Sequence, residues 1–130
     1  MGGNDVVDGQ GGWDLIYAGE GMDTVRGGYW GDVIHMGESP ANWDEALGED
    51  GDDEIHGSYG YDLLRGGPGT DRLYDDCCGG SNEKDRICGG ADGGDFGTTE
   101  DGDVYDYIYG DVESPRADGG DLVTSLACQI

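Results

Sequence analysis

The sequence predicts an all-β fold, a parallel β-roll (β-solenoid) of about six two-repeat coils. The first observation behind this is a period. Asp5, Asp14, Asp23 and Asp32 stand nine residues apart, and Val7, Ile16, Val25 and Ile34 follow them two places later. The second is its return: Asp53 with Ile55, Asp62 with Leu64 and Asp71 with Leu73 repeat the frame, each five residues after a glycine (Gly48, Gly57, Gly66). The third is how few residues can face inward. With about one large apolar side chain per repeat, an ordinary globular core is out of reach and a stacked fold is required.

Along the chain the repeats are regular over 1–37 and again over 48–74. Between them, 38–47 is a degraded copy displaced by three residues, in which Asp44 and Ala46 hold the places of aspartate and aliphatic residue. From 75 to 130 the register loosens and cysteines appear. Asp85 with Ile87, Asp106 with Ile108 and Asp121 with Val123 are clear copies on longer connections, while Asp95 with Gly97 lacks the apolar residue. We count twelve units, ten with a valine, leucine or isoleucine after the aspartate, and expect one domain over 1–130.

One unit, Gly57-Ser58-Tyr59-Gly60-Tyr61-Asp62-Leu63-Leu64-Arg65, divides into a six-residue turn and a three-residue strand. Glycines in the first and fourth places are expected to supply positive φ and close backbone approach. The strand points its middle residue inward and its neighbours outward. Each unit turns the chain through about half a circle, so two units close a coil and coils stack about 4.8 Å apart. Aspartates of successive coils then fall into register.

Composition narrows the function. The net charge is −24, from 30 acids and 6 bases, and 29 of 130 residues are glycine. Such a composition usually signals disorder, but disorder gives no reason for an aliphatic residue at a fixed offset in every repeat. Nucleic acid and anionic membrane are excluded as partners by repulsion, and no apolar run is long enough for membrane insertion. No cationic segment followed by an apolar one marks a signal peptide, so a fragment or export without an N-terminal signal is expected.

Cations are the natural partners. Carboxylates about 5 Å apart repel by roughly 3 kcal/mol at an effective dielectric near 20, a penalty that recurs in every coil. A hard divalent ion reverses its sign. Calcium takes six to eight oxygens, which aspartates and turn carbonyls offer, whereas zinc prefers nitrogen and sulfur. The frame nominates Asp5, Asp14, Asp23, Asp32, Asp44, Asp53, Asp62, Asp71, Asp85, Asp106 and Asp121 as ligands. Roughly ten calcium ions would balance the net charge.

The segments Gly9 to Tyr17, Gly57 to Arg65 and Gly66 to Tyr74 resemble the glycine-rich calcium-binding nonapeptides of RTX (repeats-in-toxin) proteins. The resemblance implies a parallel β-roll, calcium-driven folding outside the cell, and a role as module or scaffold. It implies ligand roles for Asp14, Asp23, Asp32, Asp53, Asp62 and Asp71, and extends less directly to Asp85, Asp106 and Asp121, where Glu83, Val104 and longer connections depart from the pattern.

Four cysteines lie late: Cys77, Cys78, Cys88 and Cys128. Adjacent cysteines rarely bond each other, so Cys77 and Cys78 are expected to divide Cys88 and Cys128 between them, in either order. Such disulfides would staple coils where the repeat is most degraded, and they point to an oxidising, extracellular compartment. Zinc is the rival, but Cys77-Cys78 lacks the usual spacer.

On the outer surface, Tyr17, His35, His56 and Tyr74 should form one column, either a stack of rings or, at the histidines, a transition-metal site. Leu15, Val33 and Leu63 also face outward, Trp13, Trp30 and Trp43 fall in turns or loops, and Tyr105, Tyr107 and Tyr109 cluster beside Ile108. Exposed aromatics at this density suggest contact with another subunit or a polysaccharide.

No nucleophile stands near a base and no phosphate loop occurs, so an enzyme is not expected. Two functions remain. One is an extracellular structural protein that folds on calcium and stacks end to end into a filament or surface layer, with Asp5 and Asp121 meeting across the junction. The other is a calcium-dependent folding or secretion module of a larger enzyme, adhesin or toxin. Ice binding needs threonine ranks that Thr24, Thr70, Thr98, Thr99 and Thr124 do not form.

Overall fold

Most strands here are only two to four residues long, because each repeat has one residue to bury before its glycine turn reverses the chain. The computed structural model describes residues 2–37, 42–74, 86–90, 96–99, 107–109, 116–117 and 122–124, the last four groups and residue 42 as backbone only. Its strands are β1 (Val6–Asp8), β2 (Leu15–Tyr17), β3 (Thr24–Tyr29), β4 (Val33–His35), β5 (Asn42–Asp50), β6 (Glu54–His56) and β7 (Gly60–Arg65). They continue as β8 (Arg72–Tyr74), β9 (Arg86–Cys88), β10 (Phe96–Thr99), β11 (Tyr107–Tyr109), β12 (Arg116–Ala117) and β13 (Leu122–Thr124).

Odd strands form one sheet in the order β1-β3-β5-β7-β9-β11-β13, and even strands the other, β2 to β12. All pairings are parallel, and no helix occurs among the described residues. This is a parallel β-solenoid, with about four regular turns from β1 to β8. The core is two facing columns. Val25, Ala46, Leu64 and Ile87 line one sheet, Ile34, Ile55 and Leu73 the other, each fully removed from water. Each full burial of such a side chain contributes about 1.5–3 kcal/mol, the alanine less.

The displaced copy keeps its register: Asp44 lies beside Asp62 and Ala46 beside Leu64. Gly97 pairs with Leu73 in the ladder, so the poor copy enters the inward column without a side chain to fill it. Three expectations need correcting. First, β12 adds a thirteenth strand among the described residues that carries no Asp-x-aliphatic signal, since main-chain pairing with β10 suffices to define it. Second, β3, β5, β7 and β10 exceed three residues, and between β3 and β5 parallel pairing runs into the turns, as at Gly28 with Glu49. Trp43 therefore belongs to a strand and not to a loop.

Third, glycine's positive φ falls in the second and fourth places of the turn, not the first. In the second place Gly19, Gly28, Gly37 and Gly67 have φ of 108–123°, and even Gln10 and Glu49 take 73° and 74°. First-place glycines serve space instead. A Cβ on Gly27 would meet Asp32 Oδ2 at 2.5 Å and the Gly48 carbonyl oxygen at 2.7 Å.

Candidate metal centre

Alternation along each strand puts the repeat aspartate on the same side as the aliphatic residue two places on, so its carboxylate turns inward at the strand's mouth. Asp23, Asp32, Asp44, Asp53, Asp62 and Asp71 are all at most 3% exposed. Stacking sorts them into two ladders. Asp5, Asp23, Asp44 and Asp62 lead into the odd strands, and Asp14, Asp32, Asp53 and Asp71 into the even ones.

Within a ladder, Oδ1 of every aspartate after the first accepts a hydrogen bond from the main-chain N–H of the aspartate one coil earlier. Asp5 N donates to Asp23 at 2.8 Å, Asp23 N to Asp44 at 2.7 Å and Asp44 N to Asp62 at 3.3 Å. On the other edge Asp14 N donates to Asp32 and Asp32 N to Asp53, both at 2.8 Å, and Asp53 N to Asp71 at 2.9 Å. One oxygen of Asp23, Asp32, Asp44, Asp53, Asp62 and Asp71 is thereby fixed in direction.

The second oxygen decides the chemistry. Oδ2 of Asp5, Asp14, Asp23, Asp32 and Asp53 is buried with no hydrogen-bond partner. Burying an ionised oxygen without a partner costs several kcal/mol. Burial accordingly pushes the Asp53 carboxyl up to about 6, against the Asp32 N–H and with the charges of Asp32 and Asp52. Burial likewise raises Asp62 to about 6, opposed by the Ser58 N–H and reinforced by Asp44. Asp32 and Asp44 are raised for the same first reason.

Carbonyls approach the same spaces. The volume over Gly9 is bounded by Asp14 Oδ2 and the Gly27 carbonyl, that over Gly27 by Asp32 Oδ2 and the Gly48 carbonyl, and that over Gly48 by Asp53 Oδ2 and the Gly66 carbonyl. Asp71 Oδ2 lies over Gly66 in the same pose. Among the described residues no three His, Cys, Asp or Glu side chains converge on one point. The donors are thus carboxylate and main-chain oxygens, the set that suits a hard cation such as calcium and not zinc.

The same frame matches the RTX calcium-binding nonapeptide repeat in four copies, over residues 1–28 and 47–74. The chain carries RTX calcium-binding repeats. No curated protein and no solved structure matches it significantly. The RTX β-roll is a structural calcium-binding fold, not itself catalytic, and occurs in secreted proteins.

Of the eleven aspartates nominated from the sequence, eight stand in the two ladders, while Asp85, Asp106 and Asp121 lie outside the described residues, as do Cys77, Cys78 and Cys128. The outer column is present as a stack. Tyr17 and His35 lie 4.8 Å apart between ring centroids, His35 and His56 4.5 Å, and His56 and Tyr74 4.9 Å, all within 18° of parallel. Histidine lone pairs lie in the ring plane, so rings stacked face to face do not converge on a shared metal. His56 instead meets Glu54 through Nε2 at 2.9 Å.

Sequence reasoning missed Ser58. It is buried between Asp44 and Asp62 and bonds to both. Its only mark in the sequence is a hydroxyl in the second place of a turn, where Gln10, Gly19, Gly28, Gly37, Glu49 and Gly67 stand elsewhere.

Proposed function

We propose that this chain is an extracellular structural module whose folding is driven by calcium, with the laddered aspartates Asp5, Asp14, Asp23, Asp32, Asp44, Asp53, Asp62 and Asp71 as its metal-facing residues. The observation that carries the reading is the row of buried Oδ2 atoms without hydrogen-bond partners. Nothing in the chain's composition offsets them: the net charge is −24. A bound calcium ion supplies the positive charge these oxygens lack. Folding and binding then become one equilibrium, as in other metal-dependent small domains.

Asp85, Asp106 and Asp121 extend the proposal into the later coils, for about ten ions in all. Disulfides take over part of the stabilisation there, a reading supported by Cys88, a fully buried half-cystine at the end of β9. The decisive test is circular dichroism in calcium and in excess EGTA. Strand signal lost in chelator and regained with calcium is expected, and an unchanged spectrum would refute the reading.

A second reading concerns the solenoid end. β1 and β2 are edge strands of their sheets, and the coil they form exposes Val6 and Trp13 by 82% each, Leu15 by 61% and Tyr17 by 62%. We propose that a further coil adds here, either from another copy, giving a filament, or from a preceding repeat of a longer chain. Electron microscopy with and without calcium separates them, because monomers under both conditions leave only the longer chain. The exposed rings open to a polysaccharide include Trp13, Trp30, Trp43, Tyr29 and Tyr61, whereas the faces of His35 and His56 are covered by their neighbours in the stack.

A further inference from the structure

The turn from Gly57 to Gly60 differs from its neighbours. In six other turns the second-place residue has positive φ, including Gln10 and Glu49, which carry a Cβ and adopt it nonetheless. Ser58 does not appear in that conformation. Lack of glycine is therefore not the cause. What sets this turn apart is its hydrogen bonding. The Ser58 hydroxyl donates to Asp44 Oδ2 at 2.9 Å and lies 3.4 Å from Asp62 Oδ1, and its main-chain N–H donates to Asp62 Oδ2. Ser58 is 2% exposed, and the two carboxylates it bridges belong to successive coils of one ladder.

Its consequence is local. Elsewhere Oδ2 is left over after Oδ1 has taken its main-chain N–H, as at Asp23 on this same edge and at Asp32 and Asp53 on the opposite one. At Asp44 and Asp62 a neutral hydroxyl and a peptide N–H occupy it. The space over Gly57 is also less furnished with carbonyl oxygen: the nearest, that of Tyr74, is 3.5 Å from a Cβ placed there, against 2.7 Å and 2.8 Å for the carbonyls over Gly27 and Gly48.

We propose that Ser58 takes the place of a cation between Asp44 and Asp62, closing this part of the ladder with protein atoms alone. One edge of the solenoid then runs as an uninterrupted series of cation sites from Asp14 to Asp71, and the other is broken at β5–β7. Asp44 and Asp62 thereby leave the set of metal-facing residues proposed above, and the chain binds fewer ions than it has repeat aspartates. This inference rests on calcium being the ligand of the other sites.

The test is the number of calcium ions per chain, counted by calorimetry and by elemental analysis of dialysed protein, for the unaltered chain, Ser58→Ala and Ser58→Gly. Ser58→Ala frees Asp44 Oδ2, and Ser58→Gly recreates the Gly-Gly pair of Gly27-Gly28 and Gly66-Gly67, a turn this chain already folds. The expected result is a gain of about one ion in at least the glycine variant. Equal nonzero counts in all three proteins overturn the inference and leave the calcium reading intact. A loss of an ion in the variants also overturns it, because it makes Ser58 a ligand. A count of zero throughout overturns both.

Discussion

Replacing Gly48 with alanine tests whether first-place glycine exists to make room for a carboxylate. The new Cβ would fall against Asp53 Oδ2, 2.7 Å from Asp53 Cγ and 2.8 Å from the Gly66 carbonyl oxygen. Both neighbours are held: Asp53 Oδ1 accepts from Asp32 N at 2.8 Å, and the Gly66 carbonyl accepts from Glu49 N at 3.0 Å. Relief requires the carboxylate to swing away. Overpacking of this kind costs about 1–3 kcal/mol, and loss of a hydrogen bond to a charged acceptor adds about 1.5 kcal/mol. A total near 3 kcal/mol corresponds to roughly a 10 °C fall in melting temperature for a chain of this size. The assay is thermal melting at saturating calcium, paired with calcium titration followed by circular dichroism, in which the folding midpoint should move to higher calcium. Gly2→Ala is the control, because nothing lies within 4 Å of a Cβ there. If Gly48→Ala matched the control in both measurements, the claim that this glycine shapes a carboxylate pocket would be wrong.

Without calcium, acidification should favour folding. Asp53 and Asp62 sit near 6 in the fold against an ordinary value of 3.8, so between those limits the folded chain holds more protons than the unfolded one. Stability of the chelated chain therefore falls as pH rises through about 6 and is fully regained only below the ordinary carboxylate value; a strand signal in EGTA that does not grow from pH 7 to pH 4.5 would count against it. Asp53→Asn keeps a hydrogen-bond acceptor but removes the charge, and should weaken calcium binding measured by calorimetry while raising metal-free stability. Ile55→Ala, between Ile34 and Leu73 in the core column, should cost about 2–4 kcal/mol in denaturant melts at saturating calcium. Trp30→Gly relieves a residue held at φ 86° with its side chain 67% exposed, and should leave stability equal or higher by up to about 1 kcal/mol in the same melts.

The solenoid was legible because its rule is local and repeated: an aspartate and the aliphatic residue two places on share a face, so spacing alone orders Val25, Ala46, Leu64 and their partners into columns. The displaced copy at Asp44 could be read because it keeps that pair. At Arg116–Ala117 the rule fails, since the strand exists through main-chain pairing with β10 and leaves no side-chain trace. The two uses of glycine were merged in the sequence for a different reason. Conformational freedom and absence of a side chain both read as the letter G, and only φ at Gly67 beside the crowding over Gly66 separates them. Ser58 was invisible because its meaning depends on two carboxylates from different coils.

The ring column from Tyr17 to Tyr74 runs along the even-strand sheet, away from the carboxylate edges, and its spacing of 4.5–4.9 Å repeats the rise from coil to coil. It joins neighbouring coils on this face through ring contacts in which no repeat aspartate takes part. Withdrawal of the ion should splay the solenoid from its margins inward, with the two imidazoles among the last groups to part.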